Sequence, residues 1–439
     1  MNQRSRVRDV FAWLDSHVNL ETGVGPSRRR IDHPTLERIT ALLEMLGSPQ
    51  LAYPAVHLTG TNGKTSATRM ASELLTTIGL SVGAYTSPHL ERVNERVIWN
   101  GRPIDDEELV AILALLAGIE PALPDRPSWF ELVTAAALQW FADVAVDVAA
   151  VEVGVGGTWD ATNVVDGRVA VVTNVSIDHV AYLGPTREAI AREKAGIVKP
   201  GATLVLGEPD LDLRPIFLER EPGRVLVRDI DFGLRDEQLA HGGRLLHLFT
   251  PGGDYPGAFL PLHGRYQAEN AAVALAAAEA FLDTPLPIDV VKEAFASVRS
   301  PGRLEVVRHE PLVVLDGAHN VAGANALRAA LAEEFLPAPR TLVVGLLREK
   351  EPLEMLEALG AAEAARVVCC RPPTSRGLDP ARLADAAVEL GLPSEAVDVV
   401  EAVDEAVEHA LEVTPPEGQV VVAGSLYVVG AARRTLVHD

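Results

Sequence analysis

The chain has few cysteines and no long apolar run, and these absences exclude several classes of protein. Its two cysteines, Cys369 and Cys370, are adjacent in a segment that reads as a buried strand, where neighbouring side chains point to opposite faces. We therefore expect reduced core thiols and a cytoplasmic location rather than a disulfide. No apolar run reaches the roughly 18 residues that a membrane-spanning helix needs. The charged first residues are not followed by the apolar segment of a secretory signal.

Positive charge is also scarce. The chain carries 39 Lys and Arg against 61 Asp and Glu, a net charge of −22. This argues against wrapping nucleic acid or docking on anionic lipid, but it leaves open the binding of an anionic nucleotide in a local pocket. There is no internal repeat and no long low-complexity tract. With 439 residues, 48% of them hydrophobic, we expect a globular protein of two or three domains.

Strand-like and helix-like segments alternate through most of the chain, which predicts an α/β fold with mainly parallel sheets. In the first two-thirds the predicted strands are 55–59, 82–85, 146–153 and 169–175. The predicted helices there are 34–46, 67–78, 105–118, 130–143, 186–195 and 266–281. Residues 225–259 differ, because short β-rich pieces alternate with glycine turns, and we expect antiparallel strands at one sheet edge.

A turn cluster at 300–303 separates two periodic regions, and we place the domain boundary there. Residues 1–299 are predicted to form an N-terminal phosphate-loop ATPase-like domain with a parallel sheet. Residues 300–439 are predicted to form a smaller, Rossmann-like α/β domain. Its predicted strands are 312–315, 341–346, 365–371 and 420–423, and its predicted helices are 322–335, 352–361, 380–390 and 402–413.

The most informative segment is 55–66, AVHLTGTNGKTS. A buried strand, a glycine loop and a helix N-terminus in this order form a cradle for phosphate groups. Lys64 can reach the β- and γ-phosphates, and the hydroxyl of Thr65 or Ser66 can bind Mg²⁺. The motif is a shortened variant, because Leu58 stands where the usual pattern has its first glycine. The alternative is an ordinary turn of small residues between strand and helix.

Polar residues also follow the next two strands. Glu152 ends a hydrophobic strand and is followed by glycines, and ligands gather at the carboxyl ends of parallel strands. Glu152 is therefore either a metal ligand or a solvated edge carboxylate. Asp178 and His179 follow the next strand and could reach the same crevice, although a lone histidine is more often structural.

Three further residues have both a functional and a plain interpretation. Lys194 closes a helix, where position alone favours a cation stabilised by the helix dipole. Asp316, at the end of the first strand of the second domain, could accept hydrogen bonds from ribose hydroxyls or belong to a plain turn. Arg303 could bind a phosphate across the cleft between the domains, or it could be a linker arginine at the surface.

Taken together, these motifs resemble the Mur ligase superfamily and, within it, the folylpolyglutamate synthase/dihydrofolate synthase family, over residues 36–430. Two of them, Thr86-Ser87-Pro88-His89-Leu90 and Asp160-Ala161-Thr162-Asn163, favour the folate branch over the peptidoglycan ligases. The other segments that carry the resemblance are 36–39, 46–49, 60–66, 130–131, 152–157, 178–179, 193–197, Gln267, 270–271, 301–303, 316–320 and 424–425.

The resemblance implies an ATP-dependent ligase that joins L-glutamate to the carboxylate of dihydropteroate or a folate through an acyl phosphate. Our first hypothesis is a bifunctional dihydrofolate synthase/folylpolyglutamate synthase. The alternatives are a folylpolyglutamate synthase without dihydrofolate synthase activity and, from another class, an ATP-binding regulatory switch. We expect ATP, Mg²⁺, the folate substrate and L-glutamate as ligands, a monomer, and no nucleic-acid or membrane partner.

The resemblance also implies roles for single residues. Ser87, Glu152 and His179 are implied as Mg²⁺ ligands, and Lys194 as a carbamylated lysine that helps to hold a second Mg²⁺. Lys64, Lys194 and His179 are the implied catalytic residues. The implied ATP contacts are Gly60, Thr61, Asn62, Gly63, Lys64, Thr65, Ser66, Asn270, Arg303 and Asp316. The implied substrate contacts are Phe130, as a ring that stacks on the pterin, and His319 and Ser425 at the glutamate site.

The chain departs from the family pattern at four positions. Thr65 replaces a glycine common in this branch, Thr158 stands where arginine is usual, Tyr266 where histidine is common and Val321 where proline is common. Thr158 puts the local contacts near the folate pocket in question. None of the four departures removes an implied metal ligand.

Overall fold

The structure is a computed structural model that describes residues 3–19, 21 and 35–437. The chain divides into two compact units. Unit 1 comprises Met1–Ala240, Arg244–Pro261 and Gln267–Val298, and unit 2 comprises His241–Gly243, Leu262–Tyr266 and Arg299–Asp439. Within the described part of the chain, no helix is both long and apolar enough to cross a membrane.

Unit 1 is built around an eight-stranded sheet. Its strands are β1 (Ala55–Thr59), β2 (Val82–Tyr85), β3 (Val97–Trp99), β4 (Arg102–Pro103), β5 (Val148–Glu152), β6 (Gly167–Val172), β7 (Thr203–Leu206) and β8 (Arg224–Val227). They lie in the order β4-β3-β2-β5-β1-β6-β7-β8, and the six from β2 to β8 run parallel. The carboxyl ends of β5, β1 and β6 are therefore neighbours.

The central strands form because their residues are mostly apolar and are buried on both faces, as in parallel sheets covered by helices. The helices that begin in this part of the chain are α1 (Gln3–Asp15), α2 (Glu37–Met45), α3 (Lys64–Thr77), α4 (Asp106–Ile119), α5 (Trp129–Asp143), α6 (Val180–Leu183), α7 (Arg187–Ala195), α8 (Arg214–Leu218), α9 (Arg265–Leu282) and α10 (Ile288–Ser297). One apolar cluster joins α2, α4 and α5 to the sheet through residues such as Leu42, Leu113 and Leu132.

The predicted strands at residues 225–259 are only partly correct. Strands β9 (Gly233–Ala240), β10 (Gly243–Thr250) and β11 (Gly253–Leu260) exist, and β10 pairs antiparallel with β11, as expected. They form a three-stranded sheet of their own, however, and the edge strand of the large sheet is the parallel strand β8. The short turns between β9, β10 and β11 can join antiparallel neighbours but cannot return the chain to a parallel ladder.

Unit 2 contains a six-stranded sheet in the order β12-β13-β17-β14-β15-β16. Its strands are β12 (Glu305–His309), β13 (Leu312–Leu315), β14 (Arg340–Val344), β15 (Arg366–Cys369), β16 (Val397–Val399) and β17 (Gln419–Ala423). Its helices are α11 (Val321–Glu334), α12 (Pro352–Ala358), α13 (Pro380–Glu389), α14 (Val403–Val413) and α15 (Leu426–Leu436). All pairs are parallel except β12 with β13.

The α/β class with parallel sheets is confirmed, and the predicted helices agree with the observed ones to within about one turn. Pro34, the predicted start of the first helix, lies outside the described residues. Cys369 and Cys370 are both free and buried in the core of unit 2. Burial raises the pKa of each thiol to about 12, so neither is a ready nucleophile.

Candidate active site

The glycine loop connects β1 directly to helix α3. Gly63 has a φ of +81° and immediately precedes the helix, which begins at Lys64. The predicted start at residue 67 is therefore wrong, because the left-handed glycine lets the chain enter the helix one turn earlier. A Cβ at Gly60 would lie 1.8 Å from the Thr173 hydroxyl, and one at Gly63 would lie 2.3 Å from the Asn270 side-chain oxygen. Both positions therefore require glycine.

Because α3 begins at Lys64, three of the predicted phosphate contacts belong to the helix and not to the loop before it. Lys64, Thr65 and Ser66 lie in the first turn of α3, whose backbone N–H groups have no acceptor within the helix. The positive end of the helix dipole is at the same place, so the loop is suited to bind an anion. Lys64 Nζ donates to the carbonyl oxygen of Gly60 at 3.0 Å, which holds the ammonium group over its own loop.

Residues that follow β6 anchor the phosphate loop through hydrogen bonds. The Asn174 backbone and side-chain oxygens each accept, at 3.0 Å, from the N–H groups of Thr61 and Asn62 respectively. The Thr173 hydroxyl donates to the Asn62 carbonyl at 2.6 Å, and the Thr61 hydroxyl donates to the Ser176 carbonyl at 3.1 Å. Strand β6 ends at Val172, earlier than predicted: the Thr173 N–H still bonds to the Thr59 carbonyl at 2.9 Å, but the residues from Asn174 on bond to the loop.

Glu152 brings two of the predicted site residues together. It ends β5 and is 1% exposed, so the alternative of a solvated edge carboxylate is wrong. One carboxylate oxygen accepts from the Thr65 hydroxyl at 2.9 Å, and the other accepts from the Ser87 backbone N–H at 3.0 Å. Thr65, the departure from the family pattern, is thus bonded directly to the implied metal ligand.

A pocket joins a second group of predicted residues. It is lined by Thr59, Gly60, Thr61, Lys64, Val153, Gly154, Val155, Gly156, Asp178, His179, Leu183 and Lys194. The His179 side chain is 42% exposed, and its Nε2 lies 4.0 Å from the Asp178 carboxylate. Glu152 and Ser87 are not among the residues that line this pocket, but Thr65, which bonds to Glu152, directly follows the pocket residue Lys64.

Lys194 is buried, at 3% exposure, although it lies in the last turn of α7. The plain interpretation, a cation stabilised by the helix dipole, does not account for this burial. Burial and then the positive charge of Lys64 hold the pKa of the Lys194 amine well below its usual range, while Asp178 and Asp160 oppose this. Such an amine is uncharged more often than an ordinary lysine, and an uncharged amine is the form that reacts with electrophiles.

The end of α7 contacts residues 154–157, the glycine segment that follows β5. Thr158 donates from its backbone N–H to the Glu193 carbonyl at 3.0 Å. A Cβ at Gly157 would lie 2.6 Å from the same carbonyl, and one at Gly196 would lie 2.2 Å from the Thr158 hydroxyl. Thr158, where the family commonly has arginine, therefore packs the backbone that carries Lys194.

Phe130 and Asp160 also contact this glycine segment, at Gly154. Phe130 is in the first turn of α5, half-buried, with its ring centre 6.3 Å from that of Tyr85. A Cβ at Gly154 would lie 2.6 Å from the Phe130 ring and 3.0 Å from the Asp160 carboxylate. Burial raises the pKa of Asp160, although the hydrogen bonds that it accepts oppose the shift.

In unit 2, Asp316 and Arg303 lie close together. Asp316 is buried beyond β13 and accepts from the N–H groups of Leu304 and Ala318, each at 2.8 Å. Burial raises the pKa of Asp316, and the charge of Arg303 opposes this shift. Arg303 is half-buried, and a Cβ at Gly317 would lie 2.2 Å from its guanidinium, so the interpretation as a surface linker residue is wrong.

His319 and Ser425 lie at the carboxyl edge of the unit 2 sheet, after the adjacent parallel strands β13 and β17. The His319 ring nitrogen Nδ1 is 2.8 Å from the Gly317 carbonyl. Ser425 is buried and caps α15, because its hydroxyl accepts from the Tyr427 N–H at 3.2 Å. Helix N-termini at such an edge are suited to a carboxylate ligand.

Sequence reasoning gave no role to three residues that shape the site. Thr173 and Asn174, which hold the phosphate loop, lie within the predicted strand 169–175, and Asp160, which holds the glycine segment, was noted only as part of a family-like motif. Asn270 is an implied ATP contact, and its side chain packs against Gly63 and donates to Gln267 at 3.1 Å. Over the described ranges, no group of three or more His, Cys, Asp or Glu side chains forms a metal site.

Comparison with known proteins finds similarity over both halves of the chain. The model of the Mur ligase middle domain matches residues 130–278, and that of the Mur ligase, glutamate ligase domain, matches residues 302–426. The chain is 41% identical to a dihydrofolate synthase/folylpolyglutamate synthase of Mycobacterium tuberculosis, over 93% of this chain and 91% of the relative. It is 35% identical to a folylpolyglutamate synthase of Lacticaseibacillus casei, over 91% of this chain and 94% of that relative.

Solved structures show the same similarity. Folylpolyglutamate synthase of Mycobacterium tuberculosis, solved with ADP and AMPPCP, superposes with a TM-score of 0.89 at 38% identity, and the match covers 100% of both chains. A folylpolyglutamate synthase complex with AMPPCP and folate gives a TM-score of 0.84 at 32% identity, over 98% of this chain and 100% of the other.

Proposed function

The chain belongs to the folylpolyglutamate synthase/dihydrofolate synthase family of Mur ligases, and from this we propose that it adds L-glutamate to dihydropteroate and to folates with ATP. One observation in this chain carries the choice of a ligase over a regulatory switch. The phosphate loop, Lys64 and the buried amine of Lys194 line one pocket. A switch that only binds nucleotide has no need for a second lysine with a lowered pKa beside its phosphate loop.

The proposed reaction follows from the weakness of a carboxylate as an electrophile. A carboxylate oxygen attacks the γ-phosphorus of ATP, ADP leaves, and an acyl phosphate forms. The amino group of L-glutamate then attacks the acyl carbon, loses a proton, and displaces inorganic phosphate to leave an amide. Lys64, with the N–H groups at the start of α3, stabilises the negative charge that develops on the transferring phosphoryl group.

The oxygen-bearing side chains around Glu152 are suited to bind a hard cation. A buried carboxylate bonded to the Thr65 hydroxyl and to the backbone of Ser87, itself a hydroxyl residue, offers the oxygen ligands that Mg²⁺ prefers. When bound, Mg²⁺ would neutralise phosphate charge and orient the phosphoryl group. We assign Ser87, Glu152 and His179 as the residues that hold Mg²⁺, and a modified Lys194 as the residue that helps to hold a second ion.

The modification that we propose for Lys194 is carbamylation. The uncharged amine attacks carbon dioxide, a C–N bond forms, and the nitrogen loses a proton to give a carbamate. The lowered pKa of the amine supports this step, because a protonated amine has no lone pair to react. A carbamate also offers anionic oxygen ligands, whereas an ammonium group would repel the cation.

The remaining residues are assigned to substrates. We assign the loop residues 60–66 with Asn270, Arg303 and Asp316 to ATP, Phe130 to the pterin ring, and His319 and Ser425 to L-glutamate. We propose a cytoplasmic monomer that makes both dihydrofolate and polyglutamylated folates.

A substrate panel tests this function. Purified protein is incubated with ATP, Mg²⁺ and L-glutamate together with dihydropteroate, tetrahydrofolate or a muramyl precursor, and ADP and glutamylated product are measured. We expect both folate-type substrates to give stoichiometric ADP and product, and the muramyl precursor to give neither. Product from tetrahydrofolate alone would restrict the function to folylpolyglutamate synthesis. ADP release without any acceptor would contradict the ligase assignment.

A further inference from the structure

His57 is a polar side chain in the middle of an apolar strand. It lies in β1, is fully buried, and stands between Val151 of β5 and Ala170 of β6 in the sheet. Burying an imidazole among apolar neighbours costs free energy unless its polar atoms have partners. The strand leads directly into the phosphate loop, so the partner of His57 bears on the site.

That partner is Thr162, and through it Asp160. The His57 Nε2 atom is 2.9 Å from the Thr162 hydroxyl, and this hydroxyl is 2.5 Å from a carboxylate oxygen of Asp160. Because Asp160 also accepts from the N–H groups of Val155 and Thr162, it acts as the acceptor, and the hydroxyl proton points to it. The hydroxyl oxygen must then accept from His57, which places the imidazole proton on Nε2.

His57 keeps this role over the whole physiological pH range. Burial and then the positive charge of Lys199 lower the pKa of His57 to about 3. The ring is therefore neutral at neutral pH, with one donor and one acceptor nitrogen. Its Nδ1 atom is buried and has no hydrogen-bond partner among the residues that the structure describes, so Nε2 makes the ring's hydrogen bond.

The hydrogen bonds that run from His57 through Thr162 and Asp160 end at the glycine segment beside the pocket. The second oxygen of the Asp160 carboxylate accepts from the Val155 N–H at 2.9 Å. Gly154, Val155 and Gly156 line the same pocket as Lys64 and Lys194. The phosphate loop has its own anchors in Thr173 and Asn174, although the Thr59 hydroxyl, just before the loop, also donates to the Gly156 carbonyl at 2.8 Å. The hydrogen bonds from His57 therefore act on the glycine segment first and on the loop more weakly.

We infer that His57 is a positioning residue: as a fixed donor to Thr162, it orients Asp160 and thereby holds the segment 154–156. Gly154 of this segment packs against Phe130, the residue that we assign to the pterin ring of the folate substrate. The inference rests on the proposed function for its kinetic test. It predicts that loss of the His57 donor weakens use of the folate substrate much more than ATP binding, because the phosphate loop has its own anchors in Thr173 and Asn174.

The experiment compares four test variants and one control variant with the unaltered enzyme. His57→Leu removes the donor, Thr162→Val removes the hydroxyl at constant shape, and a third variant combines them. His57→Gln retains an amide donor and tests rescue. Tyr53→Phe is the matched control, because it removes another buried hydrogen bond of unit 1, from Tyr53 to the Leu138 carbonyl at 2.8 Å. Steady-state constants for tetrahydrofolate and ATP are measured, together with amide hydrogen exchange of residues 152–163.

We expect His57→Leu and Thr162→Val each to lower kcat/KM for tetrahydrofolate about tenfold, as for other residues that orient a site residue, with KM for ATP within about twofold. The double variant should be no worse than the poorer single variant, since the two residues act as one unit. Exchange of residues 152–163 should increase in all three, and His57→Gln should recover most of the loss. Tyr53→Phe should change neither the kinetics nor this exchange.

Unchanged exchange at residues 152–163 in His57→Leu would overturn the inference, as would losses that multiply in the double variant. A lower melting temperature with unaltered constants for both substrates would also overturn it, because that is the result of a purely structural role. If the unaltered enzyme ligates no folate, the proposed function fails, and hydrogen exchange alone still decides whether His57 holds the segment.

Discussion

In unit 1 the polar residues at the carboxyl edge of the sheet bond to one another across long stretches of sequence. Thr65 bonds to Glu152, and Thr173 bonds to Asn62. In unit 2 the corresponding residues bond mainly to backbone groups over shorter stretches, as Asp316 does to Leu304 and Ala318 and Ser425 does to Tyr427. Substitutions in unit 1 should therefore disturb several site residues at once and affect the chemical step. Those in unit 2 should act locally and affect binding.

The largest effect is expected from Lys64→Ala in unit 1. Removing the ammonium group should lower kcat at least about 10³-fold, because its charge stabilises the transferring phosphoryl group. Ligation rate and thermal unfolding are measured together, and the melting temperature should stay close to that of the unaltered enzyme. Lys292→Ala, which removes a lysine of α10 outside the pocket, is the control. A folded Lys64→Ala enzyme with near-normal turnover would refute the phosphate-loop assignment.

Lys194→Ala should come next, with a loss of about 10²-fold in kcat, because a proposed metal-binding carbamate is removed. Short-chain carboxylic acids should restore part of the activity by supplying an anionic oxygen group in the vacated space. Carbon-13 NMR of enzyme equilibrated with labelled bicarbonate should show a carbamate signal that is absent from the variant. Full activity in Lys194→Ala, or no such signal in the active enzyme, would contradict carbamylation.

Glu152→Gln and His179→Ala should each raise the Mg²⁺ concentration that gives half-maximal rate by about tenfold. The reason is that each variant loses a proposed ligand and keeps the fold. Glu131→Gln is the control for Glu152, since Glu131 is also buried but bonds to Arg38 and Ser128. Mg²⁺ titrations with unchanged half-saturation in both variants would show that neither residue is a ligand.

The smallest effect is expected in unit 2, from Ser425→Ala. It should raise KM for L-glutamate about fivefold, the loss expected of one hydrogen bond, and leave kcat nearly unchanged. Loss of the cap on α15 should also lower stability by about 1 kcal/mol. Asp379→Ala removes the cap of α13 in the same unit, where Asp379 accepts from the Ala381 N–H, and controls for stability alone. A fall in kcat with unchanged KM would remove Ser425 from the glutamate site.

The sequence predicts the elements that depend on local pattern. The apolar segment at 55–59 and the glycine loop after it indicate β1 and the turn into α3, and both are present. The start of α3 was missed because it depends on the left-handed conformation of Gly63, which packs against Asn270, more than 200 residues later.

The environment of the site residues could not be predicted in the same way. From its position Lys194 is a cation at a helix end, and nothing in its own segment shows that it is buried; Gly157 and Thr158 pack on the end of α7 that carries it. His57 reads as one polar residue in a strand, and its partner Thr162 is over 100 residues away. Such contacts depend on which strands become neighbours in the sheet, and a single sequence carries no direct record of that order.

One measurement tests the central claim most directly, namely that the unit 1 pocket activates a carboxylate through an acyl phosphate. Dihydropteroate labelled with oxygen-18 in both carboxylate oxygens is turned over with ATP and L-glutamate, and the inorganic phosphate is analysed by mass spectrometry. The account predicts one labelled oxygen in phosphate for each amide formed, because the carboxylate oxygen that attacks ATP leaves with phosphorus. Amide formation with unlabelled phosphate would contradict it.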